Sequence, residues 1–143
     1  MKKRLLWMLF LLYLAVLLRI TVFRSDFGGH PLFADGVVIW VPFVNLFKTL
    51  QNSVGYFLYL FMGNLIWFVP FGLLVPLLTG TGSVTIFWAF LLSMTIEILQ
   101  FVFGTGFTEV EDVILNTLGA LMGYGIYRWF HRIYQRRHGR NIF

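Results

Sequence analysis

The chain has 143 residues, of which 59% are hydrophobic, 20% aromatic and only 12% charged. So few polar side chains will not cover the surface of a water-soluble domain of this size, which excludes an ordinary cytosolic enzyme and describes a small integral membrane protein. Its formal net charge of +5 arises from 11 Lys and Arg against 6 Asp and Glu, and the lack of cysteine excludes disulfides and thiolate chemistry.

A bilayer core about 30 Å thick needs roughly 20 apolar helical residues. Four runs of that kind occur: Leu5 to Phe23, Tyr56 to Leu78, Val84 to Phe103 and Val113 to Phe130. They predict an all-α integral membrane protein, a single domain of four transmembrane helices in an antiparallel bundle. The short connections at Thr79 to Ser83 and Gly104 to Glu111 make consecutive spans neighbours. The opening Met1-Lys2-Lys3-Arg4 has the look of a secretory signal. It lacks a small-x-small cleavage site and Arg19 interrupts its apolar run, so an uncleaved first span is expected.

Between the first two spans lies a longer loop, Arg24 to Gly55, too mixed in polarity to cross. Gly28-Gly29-His30-Pro31 reads as a turn, and Val37 to Val41 as a short extended piece. Pro42 and the stretch Phe43 to Leu50 then read as an interfacial amphipathic helix. Within the second span, Pro70 and Pro76 predict a bend around Phe71-Gly72 that would open space beside Asn64.

Basic residues set the orientation. Lys2, Lys3 and Arg4 precede the first span, while Arg128, Arg132, Arg136, Arg137 and Arg140 cluster at the end of the last and in a tail over 131–143. The positive-inside rule then puts both termini of a multi-pass plasma-membrane protein in the cytoplasm and the two polar loops outside. The basic tail reads as topology plus contact with anionic membrane lipid, and not as a nucleic-acid site.

Polar residues inside the spans carry the functional information. Ser93, Glu97 and Gln100 recur at i, i+4 and i+7 on one face of the third span; Asp112, Asn116, Gly119 and Gly123 do the same on the fourth. With a rise of about 1.5 Å per residue, Glu97 and Asn116 fall within roughly 10 Å of the outer boundary, and Asn64 slightly deeper. A carboxylate in that position costs about 2.5 to 3.5 kcal/mol if lipid-exposed, so Glu97 is expected to face the bundle. Arg19 is at a depth to pair with Glu97 or Asp112. Gly119-x-x-x-Gly123 offers a small-residue face for close helix packing. Each residue also has a structural reading: Glu97 with Arg19 as a register-fixing ion pair, Asp112 as a helix-start carboxylate, and Asn64, Gln100 and Asn116 as interhelical hydrogen bonds. No histidine pair has metal-ligand spacing, so no metal or other cofactor is expected.

Ile96-Glu97-Ile98-Leu99-Gln100, a short glycine-containing loop, and Glu111-Asp112-Val113-Ile114-Leu115-Asn116-Thr117-Leu118-Gly119-Ala120 followed by Gly123-Tyr124 resemble the signature of the VanZ-like, or teicoplanin-resistance, family. Asn64 before Phe68-Val69-Pro70-Phe71-Gly72 is similar to its other motif, and Val41-Pro42-Phe43-Val44-Asn45-Leu46 fits as well; the likeness runs from about Val41 to Tyr127. One departure is that Gly104 to Thr108 lacks the arginine that members often carry before the Asp motif, a role left here to Arg19 or Arg24. The resemblance implies a bacterial plasma-membrane protein, some of whose relatives lower susceptibility to lipid-bearing glycopeptide antibiotics.

Two mechanisms follow. In the first, Asn64, Gln100, Asn116 and Arg19 bind an amphipathic ligand, such as a lipid-linked cell-wall precursor or the antibiotic, while Phe-rich walls hold its acyl chain. In the second, Glu97 and Asp112 act as an acid/base pair on a lipid-linked or peptidoglycan substrate. With no reaction-specific motif present, binding ranks first.

Overall fold

The computed structural model describes residues 2–23, 27–29, 31–33, 37–82 and 84–138; Arg24, Asp26, His30, Asp35, Ser83 and Arg140 lie outside the described residues. The described chain is predominantly helical. Its elements are α1 (Lys2–Thr21), β1 (Val37–Ile39), α2 (Val44–Asn52), α3 (Val54–Thr79), α4 (Thr85–Phe103), β2 (Phe107–Glu109) and α5 (Val110–His138). Three of the helices, α1, α3 and α4, are long and apolar enough to cross a membrane. Helix α5 is longer than any of them, but Glu111, Asp112, Asn116 and its glycines dilute its hydropathy.

Two boundaries differ from those expected, for local reasons. Helix α5 starts at Val110, which puts Glu111 and Asp112 in its first turn, where the positive end of the helix dipole favours acids. It then runs past Phe130 to His138, because the arginines, tyrosines and Gln135 that follow are tolerated in a helix and no Gly or Pro interrupts them. The basic residues expected in a tail are thus largely part of a helix. Helix α3 continues through both Pro70 and Pro76 and ends at Gly80, whose φ of 74° is left-handed.

The largest helix contact is between α3 and α5. A methyl group on Gly119 would coincide with the Leu65 carbonyl oxygen, one on Gly123 with that of Val69, and one on Gly72 with that of Ala120. The two backbones therefore touch along a seam made by glycines from both helices, as small residues permit in a membrane. Since 65 meets 119 and 69 meets 123, α3 and α5 run in the same direction. Helix α1 runs opposite to α3, with the Tyr13 hydroxyl donating to the Trp67 carbonyl at 2.8 Å and Phe10 against Phe71 at 5.8 Å between ring centroids. Helix α4 runs opposite to α5, Ser93 facing Asn116 and Glu97 facing the start of α5. Leu17, Phe68, Phe71, Val75, Ala89, Ile96 and Ala120 form the buried core of these helices.

The loop end of the molecule is built differently. Strands β1 and β2 pair in parallel, Val37 with Phe107, Val38 with Thr108 and Ile39 with Glu109. Phe33 N–H donates to the Val102 carbonyl at 3.0 Å, so the long loop is tied to the end of α4. Helix α2 then packs on the start of α3. The expected extended piece and amphipathic helix are both present, and their strand partner is the short loop between α4 and α5.

Candidate functional site

Helix α2 has two faces. Asn45, Lys48, Thr49 and Asn52 fall at i, i+3, i+4 and i+7, and these four line a cavity of about 320 Å³ with Asn64 of α3 and Asp112 of α5. Glu109, from β2, lines it too. On the apolar side of α2 lies a second cavity, also about 320 Å³, walled by Phe43, Leu46, Phe47, Phe57 and Phe61. Leu46 belongs to both walls. At the opposite end of the bundle, between α1, α3 and α4, an apolar cleft of about 370 Å³ lined by Trp7, Phe10, Leu78 and Trp88 offers almost no polar group.

In the polar cavity, Asn64 Nδ2 donates to Asp112 Oδ1 at 2.5 Å, and Asn45 Nδ2 donates to Glu109 Oε1 at 2.9 Å. Two amide–carboxylate pairs thus link α3 to α5 and α2 to β2. Burial pushes the Glu109 carboxyl above its ordinary range; the Asn45 bond opposes that shift and the neighbouring Glu111 charge adds to it. Lys48 supplies the cation of this cavity among the described residues.

The other residues singled out from sequence go elsewhere. Glu97, 3% exposed, accepts from the Glu109 backbone N–H at 2.9 Å through Oε2, while the Thr108 hydroxyl donates to its carbonyl at 3.1 Å. It holds β2 against α4 from behind the cavity. Asn116 Nδ2 donates to Ser93 Oγ at 2.8 Å, both buried, which is an interhelical bond deeper in the bundle. Gln100 Nε2 donates to the Thr21 carbonyl at 3.3 Å and so fastens α4 to α1. Arg19 does not reach Glu97 or Asp112: it is exposed, and its guanidinium donates to the carbonyl of Phe23, one turn further along. The expected polar layer therefore splits. Asn64 and Asp112 meet in the cavity, Glu97 supports it, and Gln100 and Asn116 join helices.

Missed from sequence were Asn45, Lys48, Thr49, Asn52 and Glu109. The signal for the first three was present, since the amphipathic pattern of residues 43–50 already gave that helix a polar face; Asn52 lies past that stretch, in the last turn of α2. Glu109 carried no such signal, because its position follows from the pairing of β1 with β2.

A membrane-associated helical protein with a small polar chamber at one end, partly roofed by an amphipathic helix, is the class that this fold and site define. The chain belongs to the VanZ/LLP1 family, which matches residues 10–131. It is similar to the protein named "Protein VanZ" from Enterococcus faecium, with 42% identity over 66 residues. That match covers 45% of this chain and 41% of the relative, so the chain spans less than half the length of the curated relative it matches. No solved structure matches.

Proposed function

We propose that this chain is a four-span plasma-membrane protein, with both termini cytoplasmic, that binds an amphipathic, lipid-linked ligand at the outer face and thereby lowers susceptibility to teicoplanin-type antibiotics. The observation that carries this reading is the pair of cavities on the two sides of α2, one polar and one walled by phenylalanine, with Leu46 as a wall of both. A headgroup would bond to Asn64, Asp112, Asn45 and Lys48 while an acyl chain lies among the Phe rings. Helix α5 supports a fourth span. It exposes Leu118, Leu121, Met122, Ile126 and Trp129, and buries Glu111, Asn116, Gly119 and Gly123. The role in antibiotic susceptibility rests on the family likeness.

An enzymatic reading has one observation in its favour: Glu109 and Asp112 bring two carboxylates in different surroundings to one cavity. Asp112 would keep its acid/base role and Glu109 would replace Glu97, which faces the backbone of β2.

The test expresses wild type, Asp112→Asn, Asn64→Leu and Asn116→Ala at matched membrane levels in a susceptible host. Teicoplanin susceptibility and the mass spectra of extracted lipids and wall precursors are then compared. Asp112→Asn and Asn64→Leu are expected to return the host to its original susceptibility, and Asn116→Ala to retain protection per molecule. Full protection from both cavity variants would remove the binding site from this cavity. A lipid or precursor species made only in the presence of wild type would replace binding with catalysis.

A further inference from the structure

Helix α1 is packed unevenly along its length. Toward its end, Leu17 and, just past the helix, Val22 are fully buried. Toward its start, the apolar cleft of about 370 Å³ lies between α1, α3 and α4, walled by Phe10 and Leu14, by Val75 and Leu78, and by Leu91 and Leu92. Ligand pockets have volumes of roughly 300 to 1,000 Å³, so the cleft is large enough to hold part of a ligand. The two hydroxyls in its wall are satisfied within their own helices: Thr79 donates to the Val75 carbonyl at 2.9 Å and Thr95 to the Leu91 carbonyl at 2.8 Å. The wall therefore suits hydrocarbon and offers no bond to a headgroup. From Leu14 to Trp7 it extends roughly 10 Å along α1, the direction in which an acyl chain lies beside a spanning helix.

The mouth of the cleft has a different chemistry. Trp7 and Trp88 flank it, 44% and 52% exposed, as tryptophans at a membrane–water boundary are. Lys3 and Arg4 precede Trp7 by one helical turn, at i−4 and i−3, and so share its face of α1; both are exposed. Because α1 and α5 run in opposite directions, Arg128, Arg132, Arg136 and Arg137 come to this same end of the bundle. Among the described residues the acids are Glu97, Glu109, Glu111 and Asp112, all at the loop end. The cleft thus opens into a region of positive charge with no described carboxylate to oppose it.

We infer that this cleft holds one acyl chain of an anionic phospholipid, whose phosphate is bound by Lys3 and Arg4. The apolar wall selects a chain over a soluble anion, and the basic mouth selects an anionic lipid over a zwitterionic one. Helix α1 is the least buried of the three apolar helices, and a chain in the cleft supplies it with packing partners on the side facing α3 and α4. In the orientation proposed above the lipid belongs to the cytoplasmic leaflet; the site itself is the same in either orientation.

The test uses the full chain purified in detergent and titrated with phosphatidylglycerol or with phosphatidylcholine of the same acyl chains, lipid adducts being counted by native mass spectrometry. Each basic residue near an anionic lipid contributes roughly fivefold, so wild type is expected to hold one phosphatidylglycerol with a preference of about thirtyfold over phosphatidylcholine. Lys3→Gln combined with Arg4→Gln should abolish that preference. Arg136→Gln combined with Arg137→Gln removes the same charge farther along α5 and should leave it intact. Leu91→Trp fills the cleft and should remove the tight adduct although Lys3 and Arg4 remain; Thr95→Phe, at an exposed position of the same wall, repeats this test should Leu91→Trp not fold. Thermal unfolding is the second readout: phosphatidylglycerol should raise the midpoint of wild type and of the Arg136 and Arg137 variant, and not that of the Lys3 and Arg4 variant. Equal losses from the two charge pairs would assign the preference to the basic field of this end and overturn the site. Equal affinity of wild type for both lipids, or an unchanged adduct once the cleft is filled, would overturn it as well. Neither readout involves the polar cavity or antibiotic susceptibility, so failure here leaves the proposed function standing, and the converse holds.

Discussion

Helices α3 and α5 meet twice, in opposite ways. Along Leu65, Val69 and Gly72 against Gly119, Ala120 and Gly123, backbone touches backbone and no side chain fits between. Closer to their starts, Asn64 and Asp112 bond to each other through side chains and, with α2 and Glu109 of β2, line a cavity of about 320 Å³. The seam fixes where the helices are. The open end, held by hydrogen bonds between side chains, is where a ligand would find both space and polar groups. In a bilayer, where lipid is as apolar as a leucine side chain, such a seam must gain its stability from close packing, and the family motif residues Gly72, Gly119 and Gly123 serve that purpose.

The comparison predicts that seam changes cost stability and open-end changes cost binding. Gly119→Leu and Gly123→Val have the largest expected effect, a loss of about 3 kcal/mol or more, since each side chain meets a rigid carbonyl and not a movable side-chain tip. Unfolding of the purified protein in detergent with increasing denaturing surfactant measures this; wild-type midpoints would show that the seam yields. Next is Glu97→Ala, which leaves the Glu109 backbone N–H without its acceptor and is expected to cost about 2 kcal/mol. Faster hydrogen exchange at the Glu109 amide, with protection retained in the middle of α3, would locate the loss at the loop end. A smaller effect is expected inside the bundle. The bond between Asn116 and Ser93 should show a coupling of about 0.6 kcal/mol in a double-mutant cycle of Ser93→Ala with Asn116→Leu, the average for such bonds in membrane proteins.

Much of this arrangement was legible in the chain. The apolar runs gave α1, α3 and α4 to within a few residues, because each is bounded by glycine or charge. The Gly119-x-x-x-Gly123 spacing announced a packing face, and the seam uses that face. Depth along a helix was readable in part: Asn64 was placed slightly deeper than Glu97 and Asn116, and its observed partner is Asp112, in the first turn of α5. Azimuth relative to other helices was not. Gln100 and Asn116 turn toward α1 and α4, and no spacing rule states which neighbour lies on which side. Arg19 fails for a related reason: a long side chain near a helix end has the backbone carbonyl of Phe23 at hand, and depth alone does not favour a distant carboxylate over it. The entry of Glu109 into the site depends on strands about 70 residues apart in sequence, Val37–Ile39 and Phe107–Glu109, pairing in parallel. Strands this short carry little pattern of their own.

The smallest effect is also the sharpest control on the seam. Gly125 lies two residues beyond Gly123 on the same helix, yet a methyl group there meets nothing within 4 Å. The two positions share helix, depth and residue type, and differ in the direction they face. If glycine were needed in α5 for backbone flexibility, Gly125→Ala and Gly123→Ala would be damaging to similar degrees. If it is needed for close approach to α3, Gly125→Ala should change stability by at most about 0.5 kcal/mol, on the stabilising side because alanine restricts the unfolded chain. Gly123→Ala should by contrast force the Val69 carbonyl away and lose stability. Gly63 provides the same control on α3, since it too faces open space. Matching losses at Gly123 and Gly125 would refute the packing account and leave the contrast between seam and open end without its cause.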